Sequence, residues 1–110
     1  MFGSDSAPHP IDKKEACGCA AGIFTAPIAL QALADLFDRH NAIANLQTFV
    51  SDNARRIYNI IPPQKLVTLT PKSDRVPAMY DNVVPLFAES EIPWSIARVS
   101  VTPPKAVQTN

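Results

Sequence analysis

The chain has 110 residues, ten of them basic and ten acidic, with 46% hydrophobic residues and eleven prolines. That length and apolar share suit a single modest globular unit and exclude a wholly disordered chain, while the cancelled charge removes any general electrostatic case for nucleic acid or an anionic membrane. No apolar run approaches the ~20 residues that span a bilayer, and the N-terminus lacks a basic-then-apolar signal pattern, so a soluble cytoplasmic protein is expected.

The opening stretch, Phe2-Gly3-Ser4-Asp5-Ser6-Ala7-Pro8-His9, reads as the end of a buried strand spilling into a polar loop. Functional groups gather at such ends because a rigid element aims them while the loop stays open. The strand is short: at about 3.3 Å per residue, Met1 to Gly3 spans ~10 Å, too little to hold a site alone, and something that belongs before it is expected to be missing. Pro10 to Glu15 is charged and without apolar period, an exposed loop, and Ala16 to Gly22 is a run of small residues.

Thr25 stands where an N-cap belongs, with Pro27 in the first turn, and the spacing predicts a helix from Ala26 to about His40. Its apolar stripe is Leu30, Leu33 and Phe37, widened by Ala29 and Leu36. Asn41 is placed to cap a second helical segment with Ile43, Leu46 and Val50. Ser51-Asp52-Asn53 interrupts it, and Asp52 caps a further short turn to Tyr58 with Ile57 buried. Pro62 and Pro63 end all helix. Leu66 to Thr70 is predicted as a strand, with Arg75 to Met79 as an edge partner because of Pro77. Val83 to Phe87 is apolar but broken by Pro85. Ile96 to Val101 is the last predicted strand, with Ala97, Val99 and Val101 on one face, and 103–110 reads as a frayed tail. With no repeat and no linker, 1–110 is one segment.

Asp5 and His9 are the first candidates for chemistry. A carboxylate at a strand end can ligate a divalent metal or act as a general base, and an imidazole four residues on can grip an anionic group. Against this stands ordinary turn chemistry, in which the Asp side chain bonds backbone N–H groups two residues along. Cys17 and Cys19 could join His9 as zinc ligands, but structural zinc usually wants two to four residues between paired cysteines, and here there is one. Reduced thiols are the simpler reading. His40 suits a helix end, Asp52, Arg55 and Arg56 a solvated helix face, and Trp94 packing. No glycine-rich phosphate loop or nucleophile elbow is present.

The ordered series Gly3-Ser4-Asp5-Ser6-Ala7-Pro8-His9, Lys14-Glu15, Cys17-Gly18-Cys19-Ala20 and Phe24-Thr25-Ala26-Pro27 resembles the C-terminal part of class II dihydroorotases. The likeness continues through Phe49-Val50-Ser51-Asp52-Asn53, Ile57-Tyr58, Val84-Pro85-Leu86-Phe87-Ala88 and Pro93-Trp94-Ser95-Ile96, spanning roughly residues 2 to 97. These are homodimeric zinc amidohydrolases of pyrimidine biosynthesis, built as (β/α)8 barrels. The resemblance implies an α/β fold class: the end of barrel strand eight, the helices behind it and a C-terminal extension with short strands.

By the same resemblance, Asp5 approaches the binuclear zinc centre and acts as the general acid/base. A metal-bridging hydroxide attacks the ring amide carbonyl, and the aspartate takes its proton and delivers it to the leaving nitrogen. His9 matches the histidine that binds the substrate carboxylate, and Ala21 and Gly22 fall on the small pair whose backbone also contacts substrate. The Cys-Gly-Cys run sits one residue early, with an extra Ala before Gly22, which leaves the register from Cys17 to Gly22 open. The paired first-strand histidines, the carbamylated bridging lysine and the other histidine ligands of the family have no counterpart here, the only histidines being His9 and His40. A complete barrel takes ~250 residues. The expectation is therefore a segment that interconverts dihydroorotate and N-carbamoyl-aspartate only as part of an intact enzyme, is inactive alone, and associates with its missing N-terminal part or a second subunit. Its apolar face at Leu30, Leu33 and Phe37 would lack partners and favour self-association. The alternative is a small non-catalytic module in which Asp5, His9, Cys17 and Cys19 hold one metal or a partner.

Overall fold

Proline placement divides the chain into a helical half and a stranded half. The computed structural model describes residues 1–15, 18 and 20–101. In chain order it contains α1 (Ile11–Lys14), α2 (Ala29–Arg39), a 3-10 turn (Ile43–Asn45), a π turn (Thr48–Asp52), α3 (Asn53–Tyr58), and strands β1 (Lys65–Thr70), β2 (Asp74–Arg75), β3 (Glu91–Ile92) and β4 (Ser95–Val101). Readings that concern Cys17, Cys19 and the tail from 103 lie outside the described residues.

Helix α2 is a run of good helix formers, Ala-Leu-Gln-Ala-Leu-Ala-Asp-Leu-Phe-Asp-Arg, with no β-branched residue or glycine. It begins three residues later than the spacing predicts. Ile28, not Thr25, holds the N-cap position, and no side chain caps it. The reason lies upstream: the Ser6 hydroxyl accepts the Thr25 and Ala26 N–H groups, and Ile28 N–H turns back to the Thr25 carbonyl. Ala34 is buried and Leu30, Leu33 and Phe37 are half-buried as the stripe predicts, but Leu36 is exposed and does not widen it.

Asn41 closes α2 instead of opening the next helix. It is left-handed (φ 55°). The Ala42 N–H bonds the Phe37 carbonyl at 2.8 Å and the Asn41 N–H bonds the Asp38 carbonyl at 3.0 Å, the paired bonds of a Schellman ending. From Ile43 the chain then stays helical to Tyr58, so Ser51-Asp52-Asn53 is no interruption. Those residues are taken into and past the π turn, where Gln47 Nε2 donates to the Asp52 carboxylate at 3.0 Å in place of any capping bond. A π turn inserts one residue and so rotates all that follows by about 100°. Leu46 is buried and Val50 half-buried, while Ile57, expected to be buried, is 57% exposed. Left-handed Asn59 ends α3, and Pro62-Pro63 prevent its renewal.

Strand β1 does not pair with the segment after Arg75. It pairs antiparallel with β4, Lys65 opposite Val101 and Thr70 opposite Ser95, with a bulge between Thr68 and Leu69. β2 pairs antiparallel with β3, Asp74 opposite Ile92, and the ladder is extended by Val76 N–H to Ser90 and Glu89 N–H to Val76. The pairing brings apolar groups together in the core: Val76, Ile92 and Ile28 form the buried cluster against which Ala32 and Leu86 pack. Pro77, lacking an N–H, then stops the strand. Ala97, Val99 and Val101, predicted on one face of β4, are all exposed, and the bulge leaves Ala97 without a partner on β1. The fold is thus a small mixed α/β piece with a thin core and a protruding two-stranded ribbon. Its radius of gyration of 17.2 Å exceeds the ~13 Å of a compact unit of this size.

Candidate functional site

The opening stretch is assembled from three anchors rather than from strand pairing. At its start the Phe2 N–H bonds the Phe49 carbonyl at 3.0 Å, and the Phe49 ring lies between those of Phe2 (6.0 Å) and Phe37 (5.3 Å). Phe49 lies within the π turn, Thr48–Asp52. In the middle, Ser6 and Ile23 form an isolated parallel bridge, and Ala7 N–H bonds the Ile23 carbonyl at 2.9 Å. Beyond it, Ile11 N–H bonds the Asn82 carbonyl at 2.9 Å. The second loop is held in turn: Phe24 bridges Pro85, its carbonyl accepts the Leu86 N–H at 2.9 Å, and its ring meets Tyr80 edge-on at 6.0 Å.

Asp5 sits at the exposed crest of this stretch, in the left-handed region at φ 45°. A non-glycine residue there is uncommon, although Asp tolerates it better than most. The predicted turn chemistry belongs to its neighbour. The Ser4 hydroxyl accepts the Ser6 N–H at 3.3 Å, and among the described residues the Asp5 carboxylate accepts no hydrogen bond. That leaves Asp5 open to a ligand or a proton.

His9 is half-buried and lies against Gly22. A Cβ on Gly22 would stand 2.5 Å from the Ala7 Cβ, 2.9 Å from the Ala7 carbonyl and 3.4 Å from His9 Cδ2. With φ 141° as well, this position accepts only glycine without rearrangement. Ala21, next to it, is exposed. The structure therefore brings His9 to Gly22, with Ala21 exposed beside it, and ties the residue after Asp5 to the same loop through Ser6. Sequence reasoning missed Ser6. Its hydroxyl accepts from Thr25 and Ala26 at 3.2 Å each, nineteen and twenty residues away, and no local pattern announces such a bond.

Among the described residues no three Asp, Glu, His or Cys side chains converge on a common point. Among the described residues Asp5 is the carboxylate that the opening loop would offer a zinc centre, and no further ligand gathers beside it. His40 follows α2 as an exposed C-cap, and Asp52, Arg55 and Arg56 form an exposed face, as the sequence suggests. Trp94 is half-buried and lines a shallow pocket with Ile28, Val76, Tyr80 and Ile92, in keeping with packing. No helix among the described residues is long and apolar enough to cross a membrane.

No protein-family model matches the chain. Over 104 residues it is 45% identical to the dihydroorotase of Helicobacter acinonychis, a match covering 90% of this chain and 31% of that one. The dihydroorotase of Shewanella putrefaciens is 44% identical over 101 residues, covering 87% and 29%. Solved dihydroorotase structures share the fold. Dihydroorotase from Campylobacter jejuni superposes with a TM-score of 0.74 at 42% identity, covering 89% of this chain and 29% of that one. Dihydroorotase from Saccharomyces cerevisiae, in complex with 5-fluoroorotic acid, gives 0.82 at 31% identity, covering 94% and 30%. The chain is a dihydroorotase-family segment. It spans about a third of the length of the dihydroorotases it matches. The resemblance read from the ordered motifs is borne out, and the dihydroorotase likeness extends through the exposed ribbon, since nine-tenths of the chain is covered.

Proposed function

We propose that this segment is the C-terminal part of a class II dihydroorotase, and that it supplies one wall of the active site of an intact (β/α)8 enzyme. The stretch from Phe2 to His9 is then the exit of the eighth barrel strand, with α2 behind it. The intact protein reversibly hydrolyses dihydroorotate to N-carbamoyl-aspartate. The observation that carries this reading is the 45% identity to a dihydroorotase, with Asp5 exposed at the crest of a multiply anchored loop.

Within that site Asp5 handles the proton. Its carboxylate takes a proton from the attacking water and hands it to the ring nitrogen as the amide bond breaks, so that the nitrogen leaves neutral. His9 and the backbone at Ala21-Gly22 grip the substrate carboxylate. The missing Cβ of Gly22 lets that backbone lie against His9. Zinc, which the family uses to generate the attacking oxygen, depends on ligands supplied by the rest of the barrel. The segment's partners are accordingly the N-terminal barrel portion and, as in the family, a second subunit. The small metal module gains nothing from the relatives, which are dihydroorotases.

The test is a chimera that joins the N-terminal part of the Helicobacter acinonychis dihydroorotase to this chain, assayed for ring opening of dihydroorotate. Hydrolysis is expected, with none from the chain alone. A folded, zinc-loaded chimera without activity would remove the reading.

A further inference from the structure

We propose that Ser6 is a positioning residue for the Asp5 carboxylate, a role that rests on the dihydroorotase reading of the site. Three observations converge on it. Ser6 is half-buried, and its hydroxyl accepts two backbone N–H groups, from Thr25 and Ala26, each at 3.2 Å. Both lie where the second loop turns into α2, so the hydroxyl bolts the loop after the opening strand to the entry of the helix behind it. The Ser6 backbone also bridges Ile23, and its N–H is held by the Ser4 hydroxyl. Finally, the residue before it is Asp5, held at φ 45° with a carboxylate that accepts no hydrogen bond among the described residues.

These facts set the logic. A carboxylate without its own hydrogen bonds is aimed only by its backbone, and a left-handed non-glycine backbone persists only where its surroundings over-determine it. The Ser6 hydroxyl is the side-chain contact beside Asp5 that ties this turn to the second loop, the Ser4–Ser6 bond being local to the turn. Thr25 makes no such bond in return, since its own hydroxyl is buried without a partner. If the hydroxyl is removed, two N–H groups lose their acceptor and the Asp5 backbone is released toward an ordinary φ, which moves the carboxylate away from the proton it must transfer. His9 is held separately, by its contact with Gly22, so substrate binding is largely spared.

The experiment uses the chimera just described, with Ser6→Ala, Ser6→Thr and Ser6→Cys variants purified as monodisperse protein and kcat expressed per zinc-loaded enzyme. Ser6→Ala is expected to lower kcat by about 10- to 100-fold while KM stays within about threefold, in line with the cost of misplacing a reacting group by an ångström. Ser6→Thr, which keeps the acceptor oxygen, is expected to recover most of the loss. Ser6→Cys, similar in size but a weak acceptor, should fall between and serves where the Ala variant does not fold. Wild-type kcat in the Ala or Cys variant overturns the role of Ser6 alone, as does an equal loss in the Thr and Ala variants. An inactive wild-type chimera overturns the dihydroorotase reading itself, and the role of Ser6 falls with it.

Discussion

Asp5, Ser6 and Gly22 do different physical work within one small region. Asp5 is exposed and makes no hydrogen bond among the described residues, so the loss of its carboxylate costs the fold little where the left-handed backbone is kept. Asp5→Asn in the chimera is expected to abolish dihydroorotate hydrolysis while the thermal midpoint stays within about 2 °C, because Asn tolerates this backbone as Asp does and a surface change without added strain is usually within about 0.5 kcal/mol. Gly22 is the opposite case. Gly22→Ala drives a Cβ to 2.5 Å from Ala7 and keeps a φ that side chains rarely adopt. A cost of about 1–3 kcal/mol is expected, with a raised KM because the displaced backbone is the one that touches His9. Unchanged KM and stability in Gly22→Ala would refute the packed Gly22–His9 junction. At this scale the sequence was partly legible. Asp5, His9 and Gly22 stand in recognisable motifs, but the hydroxyl that ties their two loops together bonds across nineteen and twenty residues.

Among the elements, termini were the hardest to read. Asn residues both cap helices and accept left-handed backbone, and sequence alone does not choose between the two. At Asn41 the Schellman bonds of α2 take precedence. Asn41→Gly is expected to leave thermal stability unchanged or slightly higher, whereas Asn41→Val, which resists positive φ, should cost about 1 kcal/mol or more. Strand partners were similarly hidden. Lys65–Thr70 and Ser95–Val101 are plainly β-forming, yet local sequence does not tell that they pair with each other, or that Asp74–Arg75 pairs with Glu91–Ile92 beside the buried Val76 and Ile92. Ile92→Ala is therefore expected to destabilise by about 2–4 kcal/mol, read as a lower thermal midpoint, since it empties one of three residues in the central cluster.

For the whole molecule, the unpartnered apolar surface differs in place from the expectation. Leu30, Leu33 and Phe37 are half-buried, with Phe37 against Phe49. Several of the most exposed apolar groups lie on or just before the ribbon: Ile61 is 92% exposed, Leu66 68% and Val101 62%. An apolar two-stranded ribbon of this kind is a ready site of self-association in an isolated chain. Light scattering of the separate chain is expected to show concentration-dependent association that Leu66→Lys with Val101→Lys reduces. No change in those variants would place the associating surface elsewhere.

The sequence by itself determined the ordered series of motifs, and through it membership in the dihydroorotase family. It also determined the helical identity of α2 and the strand character of the two ribbon segments, because these rest on local spacing and side-chain type. Only the tertiary structure decided which strands pair, why Asn41 ends a helix, that Ile57 is exposed, and that Ser6 joins two loops nearly twenty residues apart. Each depends on which buried group or unpaired N–H finds a partner across space, and that competition is settled by contacts between distant residues.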